Sequence, residues 1–234
     1  MWPYPVQVRR VVRIAGTLVL VAGLLVVTWG AVIWRWQDPV TALVTRYEQS
    51  KLRDDFEERT ALYRRQQQAL TAKTVEAAGK AAMKRKIAAE ARRYRLGTHE
   101  GETLGRLRIP RLGLNIIVVE GTRSATLKKG PGHDGRTFLP GEGKLVYIAG
   151  HRTTYGAPFG HIDDLRPGDQ VTLELPYATY RYRISKHRIV KADQLEVLRS
   201  RGREELALQA CWPRFFASHR YIAYAQPVAV TPAG

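Results

Sequence analysis

Hydrophobic and polar positions divide this chain into three stretches with different rhythms. From Ile14 to Trp34 the sequence IAGTLVLVAGLLVVTWGAVIW is apolar and uncharged over 21 residues. At about 1.5 Å per residue a helix of that length crosses the roughly 30 Å hydrocarbon core of a bilayer. Trp29, Trp34 and Trp36 gather at its far end, where an interfacial aromatic belt would sit. The run is too long for the apolar region of a signal peptide, and no Ala-x-Ala cleavage site follows it. An uncleaved single-pass anchor over residues 14–34 is expected, behind a short segment 1–13.

The second stretch, residues 35–96, has another rhythm. From Val40 to Arg95 there is no strand-like alternation, no proline and one glycine, Gly79, among abundant Ala, Glu, Lys, Arg and Gln. These are good helix formers. Phe56, Tyr63, Leu70 and Ala77 recur every seventh residue, a seam too thin to claim a coiled coil. The pattern predicts a solvated helical stalk that, if continuous, would reach roughly 80 Å from a bilayer.

From residue 97 to 234 glycine and proline punctuate short runs rich in Val, Ile, Tyr and Thr. Leu107–Ile109, Asn115–Val119, Leu145–Ala149, Gln170–Leu175, Tyr180–Ile184, Leu206–Ala210 and Tyr221–Ala225 are expected strands. Arg166-Pro-Gly-Asp169 is a turn, because Pro fixes φ and Gly accepts positive φ. Many short strands and no long helical period predict a mostly β domain, closed or sandwiched.

Charge narrows the possible partners. The chain carries 38 basic and 21 acidic residues, a net of +17. The excess is spread along the chain, with +3 before residue 35 and +7 in each of 46–95 and 97–234. An anionic partner such as lipid or wall polymer fits this balance. No nucleic-acid motif or basic–aromatic block accompanies it, so nucleic acid is not expected. Arg9, Arg10 and Arg13 just before the apolar run argue for a cytoplasmic N-terminus and an extracellular C-terminal domain.

The single cysteine, Cys211, excludes an intrachain disulfide. It ends the run Leu206-Ala-Leu-Gln-Ala-Cys before Trp212-Pro213, and Arg220 opens the next strand. Two adjacent antiparallel strands would bring Cys211 and Arg220 to one end of a sheet. A guanidinium there can favour a thiolate and can donate to a carbonyl oxygen as it gains charge. His151 stands just beyond the strand Tyr147-Ile-Ala-Gly, where an imidazole could move protons for a thiol nucleophile. Each feature alone also fits a core thiol, a solvated arginine and an ordinary loop histidine.

Longer strings add weight. Gly150-His-Arg-Thr-Thr-Tyr155-Gly-Ala-Pro-Phe159, followed by Leu165-Arg-Pro-Gly-Asp169, resembles the histidine region of sortases. Leu208-Gln-Ala-Cys211-Trp-Pro, with Arg220 nine residues on, resembles their cysteine–arginine region. Arg108-Ile-Pro-Arg-Leu-Gly113 and Lys129-Gly-Pro-Gly-His133 are similar to the first strand and the loop after it. The resemblance covers residues 105–230 in order and is strongest to class E, the housekeeping sortases of high-GC actinobacteria.

That resemblance implies an eight-stranded β-barrel and a membrane-bound cysteine transpeptidase. Such an enzyme cuts an LPXTG-type sorting signal of a secreted protein between Thr and Gly through a thioester. It then joins the protein to an amine of a peptidoglycan precursor. The resemblance assigns Cys211 as nucleophile, His151 as general acid/base and Arg220 as substrate holder and oxyanion donor. Class E preference for Ala at the second signal position draws attention to Tyr155 as a pocket residue. Ala210 and Trp212, flanking the nucleophile, are candidate substrate contacts. Ala210 departs from the family, which usually carries Thr there, and the missing hydroxyl is worth on the order of 1 kcal/mol.

No metal or cofactor is expected. His133, His161, His187 and His219 lack metal-ligand spacing, and Asp163, Asp164 and Asp169 read as turn residues. Papain-like enzymes place Cys before His, the reverse of the order here. L,D-transpeptidases keep this order but use a Ser-His-Gly-Cys motif that is missing. A non-enzymatic scaffold with a degenerate sortase-like domain is the remaining alternative, and Ala210 is its only support.

Overall fold

The computed structural model describes residues 6–36, 39–71 and 80–233. It divides into a unit of residues 1–39 and a unit of residues 40–234. In the first, α1 (Val6–Trp36) is a continuous helix whose window Val8–Val32 has a mean hydropathy of 2.3. Its described side chains are exposed almost throughout, with Leu20 at 75 %. A helix apolar on every side cannot hide that surface in water, so α1 fits a single-pass membrane anchor. Trp29 is exposed, while the side chains of Trp34 and Trp36 lie outside the described residues.

The second unit contains helices α2 (Pro39–Thr71) and α3 (Lys80–Gly97) and eight strands. The strands are β1 (Thr103–Ile109), β2 (Leu114–Glu120), β3 (Gly132–His133), β4 (Leu145–Ala149), β5 (Gln170–Leu175), β6 (Ala178–Lys191), β7 (Glu205–Trp212) and β8 (His219–Pro232). They close into a barrel in the order β1-β2-β3-β4-β7-β8-β6-β5. The β2–β3 and β4–β7 pairs are parallel and the rest antiparallel. The β-barrel expected from the resemblance is therefore present. Alternating side chains of β1, β5, β6 and β7, including Leu107, Leu173, Tyr182 and Leu208, fill its interior. A smaller cluster on the outer face joins Tyr147 of β4, Ala207 of β7 and Ile222 and Tyr224 of β8, under Val197 and Leu198 of the β6–β7 connection.

The helices differ from the solvated stalk expected of them. Along α2, Thr45, Gln49, Leu52, Phe56 and Thr60 are all buried, at the three- and four-residue spacing of one helical face. Leu52 and Phe56 pack on Ile117 and Val119 of β2. Gln49 completes the contact with its carboxamide. Its Nε2 donates to Ile117 O at 3.0 Å and Lys129 O at 2.8 Å, and its Oε1 accepts from Ile117 N at 2.8 Å. The side chain thus occupies the place of a neighbouring strand on the edge of β2 that the two-residue β3 leaves open. Gly130 is required for this approach, since a Cβ there would lie 2.4 Å from Gln49 Nε2. Of the seven-residue seam, Phe56 is buried and Tyr63 half-buried. The side chain of Leu70 and all of Ala77 lie outside the described residues. α3 adds Ile87 and Ala91 to the main core, and Tyr94 donates to Leu104 O at 2.9 Å.

Candidate active site

Three neighbouring strands converge on one end of the barrel. In the parallel β4–β7 ladder Ala149 lies opposite Gln209, and Gly150 N donates to Gln209 O at 2.9 Å, carrying the ladder past the end of β4. Two residues beyond that pair come His151 and Cys211, so the register delivers them to the same level. In the antiparallel β7–β8 ladder Cys211 lies directly opposite Arg220. Facing residues of such a pair hold their Cβ atoms about 4.5–5.5 Å apart on one face. His151, Cys211 and Arg220 all line a cavity of about 280 Å³. Tyr147, Ala149 and Gln209 belong to its lining as well, with Leu127 before β3 and Leu195 and Leu198 of the β6–β7 connection.

The histidine loop is locked from below. Gly150 packs against fully buried Phe159, and a Cβ there would come within 2.6 Å of that ring. Phe159 N donates to His151 O at 3.1 Å. Burial lowers the His151 imidazole from its ordinary value, so it is neutral at physiological pH and able to accept a proton. Its Nε2 is buried, with no hydrogen-bond partner among the described residues. Its ring lies 5.0 Å from that of Tyr155, tilted by 39°.

Arg220 donates from Nη1 to Ala217 O at 2.8 Å and His219 O at 2.9 Å, which fixes its stem beside the cavity. A guanidinium carries five N–H donors, and Nη2 and Nε bond nothing among the described residues. Cys211 is half-buried.

The three candidate substrate contacts are placed differently from the trio. Strand alternation turns Ala210 to the side opposite Cys211, where it is fully buried in the barrel interior. A hydroxyl at that position would face the barrel interior. Trp212 shares that side and packs on the barrel core, its ring 5.6 Å from Tyr221. Tyr155 stands behind His151 and does not line the cavity.

One residue of the histidine string has a structural role that sequence reading passed over. Arg152 is 4 % exposed. It donates from Nη1 to Cys211 O at 3.3 Å, pairs through Nη2 with Asp163 at 2.7 Å, and lies 4.3 Å over the Trp212 ring. It thereby ties the backbone of Cys211 to Asp163, beyond the loop that carries His151. His133, which the sequence offers only as one of four histidines without metal-ligand spacing, is wholly buried in β3 and meets Glu120 at 2.7 Å through Nδ1. Asp169 accepts from both Arg111 and the Arg166 backbone at the 166–169 turn.

A thiol, an imidazole and a guanidinium gathered by three adjacent strands of a closed barrel define a thiol-centred β-barrel domain. A family model described as the sortase domain matches residues 107–228, and the chain belongs to the sortase family. It is 35 % identical over 132 residues to sortase D of Bacillus subtilis, covering 55 % of this chain and 65 % of that protein. It is 29 % identical over 149 residues to sortase E1 of Streptomyces coelicolor, covering 56 % of this chain and 42 % of that protein. The matches thus span under two thirds of the length of either relative.

Solved structures agree in fold. Sortase E of Streptomyces avermitilis matches with 34 % identity and a TM-score of 0.53, covering 57 % of this chain and 93 % of that one. Sortase E1 of Streptomyces coelicolor, solved with a tripeptide in its active site, matches with 27 % identity and a TM-score of 0.53, covering 56 % and 91 %.

Proposed function

We propose that this protein is a membrane-anchored cysteine transpeptidase acting on C-terminal sorting signals outside the cytoplasmic membrane. The observation that carries this reading is the double register, β4 with β7 and β7 with β8, that sets His151, Cys211 and Arg220 on one cavity. The Cys211 thiolate attacks the carbonyl carbon between Thr and Gly of the signal. Arg220 donates to the oxygen as it becomes an oxyanion. His151, holding the thiol proton, passes it to the departing glycine nitrogen, leaving a thioester. An amine of a peptidoglycan precursor then attacks the thioester, His151 takes its proton, and the thiolate leaves as the new amide forms. No step requires a metal or cofactor.

Residues 14–34 cross the membrane in this reading, with Arg9, Arg10 and Arg13 on the cytoplasmic side and residues 97–234 outside. The chain is about as similar to a sortase D as to a sortase E. The class E assignment therefore rests on the string His151-Arg-Thr-Thr-Tyr-Gly-Ala-Pro-Phe159. The alternative of an inactive scaffold drew only on Ala210, whose side chain faces the barrel interior. Incubation of the full chain in detergent with LAXTG and LPXTG peptides and an amine tests the reading. Amide product from wild type but not from Cys211→Ala is expected, with LAXTG preferred. Equal product from both proteins, or none from either peptide, would contradict it.

A further inference from the structure

In the hydrolytic triads the histidine is oriented by a hydrogen-bonded third group. His151 has a different support, a tyrosine ring 5.0 Å away. Tyr155 is itself held in an unusual backbone state. Its φ is 53°, and Gly156 and Ala157 follow at 70° and 39°, so three consecutive residues are left-handed. For a residue with a side chain that conformation costs roughly 1–2 kcal/mol and persists only where neighbours impose it.

The neighbour is helix α2. The Tyr155 backbone N–H donates to Thr41 Oγ1, in the first turn of α2, at 2.7 Å. One turn later Thr45 donates to Lys128 O at 2.9 Å, and a Cβ on Gly156 would lie 3.9 Å from the Thr45 side chain. A further turn on, Gln49 holds Lys129 O at 2.8 Å. The first turns of α2 therefore grip both loops beside the cavity, the one that carries His151 and the one after Leu127. Lys128 completes the contact, with its Nζ 5.8 Å over the Tyr155 ring.

We propose that Thr41 is a positioning residue for His151: the first turn of α2 pins the left-handed backbone of Tyr155, on whose ring the imidazole rests. The proposal rests on the acid/base role given to His151 above. It makes the helix that follows α1 part of the catalytic apparatus. Charged or titratable groups around the imidazole are Cys211 on β7, Arg220 on β8, Tyr155 on its own loop and Lys128 beyond that ring.

The test uses the full chain in detergent micelles as wild type, Thr41→Val, Thr41→Ser and Tyr155→Leu. Transfer of a sorting-signal peptide to an amine gives kcat and KM, and NMR of labelled histidine follows the His151 ring. Valine keeps the shape of threonine but accepts no hydrogen bond. Thr41→Val is expected to lower kcat about tenfold with KM changed less than about twofold. It should also raise the His151 titration toward the ordinary value of about 6.5 as water reaches the ring. Thr41→Ser should restore both, and Tyr155→Leu should reproduce the Thr41→Val pattern. Wild-type kcat and titration in Thr41→Val or Tyr155→Leu, or a Thr41→Ser protein as impaired as Thr41→Val, would overturn the proposal. If wild type transfers no peptide, the functional reading fails, and the His151 titration alone decides the positioning role.

Discussion

Gln49→Ala separates a docked α2 from a solvated stalk. The wild-type carboxamide makes three hydrogen bonds, two to Ile117 and one to Lys129, from a side chain only 7 % exposed. Each is worth about 1 kcal/mol net, and a buried donor or acceptor left without a partner costs about 1–3 kcal/mol. Some water will enter the vacated space, so a loss of about 3 kcal/mol is the expectation. For a folded unit of roughly 150–250 residues, 1 kcal/mol moves Tm by about 2–4 °C, which places the shift near 6–12 °C. A solvated stalk residue would instead change stability by under about 0.5 kcal/mol. Gly130→Ala should act in the same direction, since its Cβ would meet Gln49 Nε2 at 2.4 Å. Thermal unfolding of the full chain in detergent gives Tm, and hydrogen exchange reads the Ile117 amide directly. A Gln49→Ala protein with unchanged Tm and unchanged exchange at Ile117 would refute the docking of α2.

Two other expectations follow from the residues around Cys211. Arg152→Met keeps the stem over Trp212 but removes the donors to Cys211 O and Asp163. It should lower stability by about 2–3 kcal/mol, less than a fully buried pair because Asp163 remains one-third exposed. The double variant with Asp163→Ala should be less destabilised than the sum of the single changes in denaturant titrations, and strict additivity would count against the pairing. Burial of His151 lowers its titration, so the acid limb of the kcat/KM profile should have a midpoint below about 6.5. The same shift means the unfolded chain binds the proton more readily, so His151 takes stability away as pH falls from about 6.5 through its folded value. An acid limb at or above about 6.5 would contradict a desolvated imidazole.

Much of the barrel is visible in the chain because its strands alternate and its turns carry glycine and proline. Leu145–Ala149 and Gln170–Leu175 coincide with β4 and β5. β6 extends from 178 to 191, well past the expected Ile184, because Ser185-Lys-His-Arg188 breaks the apolar alternation while still pairing with β8. β3 has two residues, too few for any periodic signal.

The docking of α2 was hidden for a different reason. Three of the five buried residues among those described in α2, Thr45, Gln49 and Thr60, are polar, and Thr45 and Gln49 bury themselves by bonding backbone. A search for an apolar stripe sees only Leu52 and Phe56 there. The meeting of His151, Cys211 and Arg220 at one cavity was legible through the motif strings and the expected strand order. The placement of Ala210 was available too, since a period of two that turns Cys211 outward must turn its neighbours inward. Arg152 carried no such signal, because nothing in a sequence says which arginine of a string will be buried.

The account stands or falls on whether Cys211 is acylated by a sorting signal. Full-length protein incubated with an LAXTG peptide, without an added amine, should gain by intact-mass spectrometry the mass of the peptide up to Thr. Fragmentation should place that mass on Cys211, and it should disappear when an amine is supplied or when Cys211→Ala replaces wild type. A folded wild-type protein that alkylates readily at Cys211 but never gains that mass from LAXTG or LPXTG peptides would contradict it.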